Sequence, residues 1–302
     1  MKCSCDHPVR LPDLRERRHA ESPRAISCDT LLSHMEKGFP ISPDRAIFLA
    51  DAHLNQDDIH SRNFLALVDR AAAEKVPLFL LGDVFDLWFG NTGLTFGFQK
   101  PIIEHLRKLR REGLRLYYVE GNRDFYLKRE HEGTTFEIVS AGDMHAAVGE
   151  KRLYLSHGDT VNRADFAYRF WKGISKSRLA NEAVGHLPPS IILPMADRIE
   201  RNFKRSNRRH KGTFPEREAR EYAMRLFGKG IDFVILGHFH QERLTRFSRE
   251  AATKVLAVLP SWKDQWRYFF LTAGGEYGFR SFKPGEPLFP PTATPTPEPG
   301  RS

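Results

Sequence analysis

Five short apolar runs recur along this chain, and each is followed at once by a polar cluster: AIFLA at 46–50, VPLFLL at 76–81, LRLYYV at 114–119, RLYLS at 152–156 and DFVILG at 232–237. Runs of this length, bounded by Gly, Asn or Asp, suit buried strands better than helices. Between them lie helical patterns. From Ile59 to Lys75, the residues Phe64, Leu65, Leu67, Val68, Ala71 and Ala72 share one broad face, and Gln99 to Glu112 repeats this with Ile102, Ile103, Leu106 and Leu109. Strands separated by helices predict an α/β layered core. After Gln241 the pattern changes to KVLAVLP, WRYFFLTA and GEYGFRSF. A Gly-Gly turn between the last two predicts an antiparallel hairpin completing a second sheet. The expected core, 44–162 with 230–283, is a sandwich of two sheets flanked by helices.

The rest of the chain reads differently. Residues 1–43 mix charges, prolines and serines without apolar periodicity, and 284–302 are proline-rich with little to bury, so both ends are expected to be disordered. Residues 163–229 interrupt the alternation with helix-like sequence holding sixteen Lys/Arg against seven Asp/Glu, which accounts for the whole chain's net charge of +9. An anionic partner is expected on that insert. Cys3, Cys5 and Cys28 all precede the first strand, cannot staple the core and fit no standard zinc spacing. Cys3 and Cys5 could hold a metal with His7, but a disordered leader is the simpler reading. No apolar run approaches the ~20 residues that span a bilayer, and the start lacks the hydrophobic centre of a secretory signal. The chain is expected in the cytoplasm.

The polar clusters carry the chemistry. They are Asp51-Ala-His53, Gly82-Asp83, Gly121-Asn122-Arg123-Asp124, His157-Gly-Asp159 and Gly237-His238-Phe-His240. In open α/β sheets ligand sites form at the carboxyl ends of strands. Asp51 and His53 are two apart, as are His238 and His240, and in extended backbone that spacing points both side chains the same way. Imidazole with carboxylate suits manganese, iron, zinc or cobalt, whereas an all-oxygen site would favour magnesium or calcium. Asp51, His53, Asp83, Asn122, His157, His238 and His240 are too many ligands for one tetrahedral zinc and match two metals sharing a carboxylate. Singly, each cluster has a plainer explanation: DxH and HxH as surface or capping sequence, GD and GNRD as turns. The ordered set of five, each at a strand end, carries the inference.

The order DxH, GDxFD, GNRD, SHGD and GHFH resembles the calcineurin-like metallophosphoesterase superfamily over about 200 residues, from Ala46 to His240. The usual third block is GNHD or GNHE. Arginine at that point, FDLWFG after the aspartate and an acidic residue eight positions past the histidine of HGDT resemble the UDP-2,3-diacylglucosamine diphosphatases of lipid A synthesis. The resemblance implies a four-layer α/β/β/α sandwich with 163–229 as a helical lid. It implies that Asp51, His53 and His240 hold one metal and Asn122, His157 and His238 the other, with Asp83 bridging and manganese preferred. Arg123 and Asp165 match substrate-contacting positions. Asn122 and His238 would also meet substrate, and Asp83, Asn122, Arg123 and His157 would form the catalytic set. RNFKRSNRRHKG offers no clean counterpart to the family's other lid contacts.

Two such metals activate a water and hold a phosphoryl oxygen for in-line attack on phosphorus. Arg123 in place of histidine removes a general acid and supplies a permanently charged fork. A leaving alkoxide would miss that acid; a leaving phosphate, already a stable anion, would not. The chemistry expected is therefore cleavage of the pyrophosphate of UDP-2,3-diacylglucosamine to UMP and 2,3-diacylglucosamine 1-phosphate. Asp124 and Asp86 are placed either to orient ligands or to cap turns. Phe166, Phe170, Trp171 and LPPSIILPMA give the basic insert apolar surface, as expected of a lid over an anionic lipid on the cytoplasmic face of the inner membrane. An ordinary solvated helical pair is the plain alternative. The lack of an aromatic platform or recognition helix argues against nucleic acid. Another phosphodiesterase or nuclease of the superfamily, and a non-catalytic binding module, are the competing readings; a full ligand set argues against the latter.

Overall fold

The computed structural model describes residues 9–10, 41–90, 92–161, 214–249 and 252–290. In chain order the strands are β1 (Val9–Arg10), β2 (Arg45–Leu49), β3 (Leu78–Leu80), β4 (Trp88–Phe89), β5 (Leu116–Val119), β6 (Asp124–Phe125), β7 (Ile138–Ser140), β8 (Asp143–Val148), β9 (Lys151–Ser156), β10 (Phe233–Leu236), β11 (Arg243–Arg249), β12 (Ala252–Val258), β13 (Arg267–Thr272) and β14 (Tyr277–Ser281). The helices are α1 (Ile59–Ala73), α2 (Gln99–Arg111), α3 (Leu127–His131), α4 (Glu216–Phe227) and α5 (Trp262–Gln265).

Alternation along each central strand divides its apolar side chains between two faces. In β2, Ile47 and Leu49 face α1 and α2 together with Phe64, Leu67, Ile102 and Leu106. Ala46 and Phe48 face the second sheet and meet Ile235, Val255 and Leu155 there. Phe48, Phe79 and Tyr117 stack across β2, β3 and β5 with ring centroids 5.0 and 4.6 Å apart, filling the space between the sheets. One sheet has the order β14-β13-β2-β3-β5-β7 and the other β1-β11-β12-β10-β9-β8. With α4 packed on the outer face of the second sheet through Ala219, Ala223 and Phe227, the layers run α/β/β/α. Among the described residues no helix is long and apolar enough to cross a membrane.

Five expectations change. The hairpin β13–β14 does not complete the second sheet. It extends the first, because β13 pairs antiparallel with β2 and sets Phe269 opposite Phe48, while β12 joins β10 in the other sheet. The core begins before residue 44: Ile41 is buried between the sheets and its carbonyl accepts from Ala147 N at 2.8 Å. In the leader, Val9 and Arg10 pair in parallel with β11. The tail starts later than 284, since Leu288 and Phe289 are buried, Leu288 N donates to the Glu74 carboxylate and Arg45 lies over the Phe289 ring at 5.0 Å. Two apolar residues among prolines suffice because β13 and α1 leave a slot for them. Finally, 214–229 belong to the core, the apolar stripe of α4 being hidden in sequence by its dense Arg and Glu. Residues 162–213, with Asp165, Phe166, Phe170 and Trp171, lie outside the described residues, as do Cys3, Cys5, His7 and Cys28.

Candidate metal centre

The five polar clusters meet at one edge of the sandwich, where β2, β3 and β5 of one sheet and β9 and β10 of the other end. Backbone hydrogen bonds stitch the loops together: Asp51 N to Gly82 O at 3.1 Å, His53 N to Asp83 O at 3.0 Å and Gly237 N to Ser156 O at 3.3 Å. Asp124 serves as a clasp, its Oδ2 accepting from Asp83 N, Gly121 N and the Tyr118 hydroxyl at 2.9, 2.7 and 2.9 Å. Asp124 thus closes the turn and at the same time fixes the backbone of Asp83.

The ligand side chains do not converge by extended spacing. Asp51, His53, Asp83, His238 and His240 all have positive φ, between 45° and 72°. Each left-handed residue costs about 1–3 kcal/mol unless its surroundings hold it, and such residues gather at functional sites. The paired positions therefore turn inward just past their strands. Two glycines make room for them. A Cβ on Gly121 would lie 2.2 Å from Asp83 Oδ1, and one on Gly82 would lie 2.7 Å from His157 Nδ1.

The result is two donor groups sharing one carboxylate. Ligand atoms of Asp51, His53 and His240 lie within 4.8 Å of one another, and so do those of Asp51, Asp83 and His157. His53 Nε2 and His240 Nε2 are 3.2 Å apart. Asn122 Oδ1 lies 2.9 Å from His157 Nε2 and 3.0 Å from His238 Nδ1, with those two nitrogens 3.3 Å apart. The HxH pair is thus split, His240 joining the first group and His238 the second. Asp51, rather than Asp83, is common to both described groups: its Oδ1 is 3.2 Å from His240 Nε2, and its Oδ2 accepts from His238 N at 2.8 Å. Asp83 leans toward Arg123, accepting from Arg123 N at 2.9 Å and lying 3.6 Å from its Nε.

The donor set fits divalent metals. Nitrogens and oxygens about 3.0–3.4 Å apart form the edges of a coordination shell with bonds of about 2.1 Å. Asp51 Oδ1 is fully buried without a hydrogen-bond donor, and His157 gives its Nδ1 to the Leu81 carbonyl at 2.8 Å, leaving Nε2 toward the site. Among the described residues Asp51, Asp83, Asp124 and Asp159 are buried acids here, and Arg123 is the one buried Lys or Arg. Buried negative charge in such excess calls for cations. The titration behaviour reflects it. Burial disfavours charge on Asp51, yet His240, His157 and His53 hold its carboxyl well below the usual range. Burial lowers His157, but the charges of Asp83, Asp51 and Asp159 raise it overall. His238 falls to about 4 through burial and the neighbouring His157.

Arg123 is not an open fork. Its guanidinium lies between Asp83 and Asp86, donating to the Asp86 carbonyl at 3.2 Å and lying 3.6 Å from the Asp86 carboxylate. Asp86 also faces His53 Nδ1 at 3.3 Å and accepts from Asn55 Nδ2 at 2.8 Å. Burial pushes its carboxyl up, but His53, Asn55 and Arg123 bring it down to about 2. Sequence reasoning passed over Asn55; its place two residues after His53 was the available signal. The first turn of α5 with its cap Ser261 was likewise missed. Ser261 Oγ donates to Asp51 O at 3.1 Å and Lys263 Nζ to His53 O at 3.3 Å. No spacing rule links them to a segment some 210 positions away.

The sequence profile of calcineurin-like phosphoesterases matches residues 45–242. A UDP-2,3-diacylglucosamine hydrolase of Chromohalobacter salexigens is 26% identical over 219 residues, covering 72% of this chain and 88% of that protein. Another from Pseudomonas aeruginosa is 28% identical over 225 residues, covering 72% and 91%. Among solved structures, a novel archaeal phosphodiesterase aligns with 79% of this chain and 99% of its own at 10% identity, with a TM-score of 0.41.

Proposed function

The chain belongs to the calcineurin-like phosphoesterase family, and from that premise we propose that it hydrolyses the pyrophosphate of UDP-2,3-diacylglucosamine, releasing UMP and 2,3-diacylglucosamine 1-phosphate. The observation that carries this reading is the pair of overlapping donor groups around Asp51. Asp51, His53 and His240 would hold one divalent ion and Asn122, His157 and His238 the other, with Asp83 between them and manganese as the preferred metal. When bound, two such ions polarise a phosphoryl oxygen and activate water.

The chain's own residues complete the chemistry. Asn122 and His238 stand where a phosphoryl oxygen would meet the site. Arg123, buried against Asp83 and Asp86, offsets their charge and keeps a cation beside the reacting phosphate without a proton to give. A departing phosphate monoester needs none, so the arginine suits a pyrophosphate rather than an alkyl phosphate. The relatives' names point to a lipid-linked UDP-sugar, the basic and apolar composition of the insert sequence suits acyl chains and an anionic bilayer, and Asp165 is a candidate substrate contact by its place in the motif. The protein would work at the cytoplasmic face of the inner membrane.

The test is to incubate metal-stripped protein and Mn2+ with UDP-2,3-diacylglucosamine in mixed micelles and follow UMP. UMP formation that disappears in His157→Ala is the expected result. Cleavage of bis-p-nitrophenyl phosphate without any UMP would leave a general phosphodiesterase and overturn the substrate.

A further inference from the structure

The turn that opens α5 follows the first ligand loop residue by residue. Ala50 and Ser261 form a parallel bridge, Trp262 N donates to Ala50 O at 3.2 Å, Ser261 Oγ to Asp51 O at 3.1 Å and Lys263 Nζ to His53 O at 3.3 Å. Trp262, fully buried and edge-on to Phe64, anchors the turn and so fixes where Lys263 emerges. Lys263 itself is half-buried. Other basic side chains at this edge are matched with acids: Arg123 with Asp83 and Asp86, Arg243 with Glu216 and Arg267 with Glu242. Lys263 meets no carboxylate among the described residues, and its ammonium rests on the His53 carbonyl alone. We propose that Lys263 is a substrate-binding residue that takes an oxygen of the second phosphate of a diphosphate ester while the donor groups take the first, an assignment that rests on the pyrophosphatase reading above.

A diphosphate brings two anionic groups to a centre whose metals serve the reacting one. Arg123 is already offset by Asp83 and Asp86, so the neighbouring phosphate needs a cation from elsewhere. An ammonium carries three N–H donors, and one neutral carbonyl uses only one of them. Its charge is partly withdrawn from water without an acid to compensate it, a cost that an incoming phosphate oxygen reverses. The placement suits this. Solvent reaches the first donor group along His240, whose side chain is 19% exposed where Asp51 is closed off, and Lys263 is held at the backbone of His53 in that same group. A plain loop clasp would need only the Trp262 and Ser261 bonds, and no charge.

Lys263→Gln separates charge from clasp, because the amide can still donate to the His53 carbonyl. Calorimetric titration of the Mn2+-loaded full chain with α,β-methylene-UDP, an uncleavable diphosphate, and with UMP gives the ratio of the two affinities. The wild type should favour the diphosphate. Lys263→Gln should lower that ratio by about 10- to 100-fold, and Lys263→Arg, which keeps the charge, should retain it. The same fall is expected in kcat/KM for UDP-2,3-diacylglucosamine relative to bis-p-nitrophenyl phosphate, which has a single phosphate. An unchanged affinity ratio in Lys263→Gln overturns the assignment. So does a loss shared equally by both nucleotides, or a ratio lost in Lys263→Arg as well, since either is the mark of a displaced loop. A wild type that makes no UMP overturns the substrate but leaves the affinity ratio to decide the role of Lys263. A wild type that binds neither nucleotide overturns both. Should Lys263→Gln fail to fold, Lys263→Met decides by the same ratio.

Discussion

At the scale of single residues, the histidines divide by environment. Those of the metal centre are surrounded by acids, whereas His131 at the end of α3 is buried against Trp88, with ring centroids 4.7 Å apart, and has only the Thr135 hydroxyl, 2.9 Å from its Nδ1. Burial, with Arg107 nearby, lowers its pKa to about 3. The unfolded chain, with an ordinary value near 6.5, then binds a proton that the folded chain refuses. Stability from this group is complete above about pH 6.5 and is lost as pH falls from there toward 3. Urea unfolding at a series of pH values should show this slope, on the order of a few kcal/mol in all, and His131→Gln should flatten it. Nothing in LKREH marks that histidine as buried. That Asp51, His53, Asp83, Asn122, His157, His238 and His240 would meet at one sheet edge, by contrast, was legible, because each follows an apolar strand at its carboxyl end. What spacing could not supply was the left-handed backbone that aims them, or the carboxylate of Asp86 behind His53, since both depend on how separate loops meet.

At the scale of elements, the strands that precede the ligand clusters were legible from runs such as AIFLA and DFVILG, whose short apolar character admits little else. Sheet membership was less so. WRYFFLTA is apolar on both faces and would fill either sheet; β2, with an open edge and Phe48 to cover, takes it. The segment around Leu288 shows how small a signal can hold an element. The Tyr268 hydroxyl donates to Leu288 O at 2.8 Å and Glu74 receives Leu288 N, so the chain end is pinned across β13 and α1. Leu288→Ala should lower unfolding free energy by about 2–5 kcal/mol, read by chemical denaturation. Activity at temperatures well below melting should be preserved, because the slot lies on the helix-facing side of the first sheet. Equal stability of the variant would mean the segment is merely laid on the surface.

At the scale of the molecule, the layers followed from the alternation of strand and helix, and the edge where the clusters meet followed from strands running in parallel. Metal uptake should then be felt by the whole fold, because a centre drawn from both sheets exists only when both are assembled. Added Mn2+ at about a hundred times its dissociation constant should stabilise the metal-stripped protein by about 2.7 kcal/mol per site, seen as a rise in melting temperature by calorimetry. Asp51→Asn should lose most of that rise. The left-handed backbone at Asp51, His53, Asp83, His238 and His240 adds a second filter on what these positions accept. Valine, isoleucine and threonine are refused there for backbone reasons before any ligand is considered, whereas asparagine and aspartate enter that region with little penalty. Exchanging acid for amide at 51 and 83 would therefore keep the backbone while removing the negative charge that draws a cation and that Arg123 offsets.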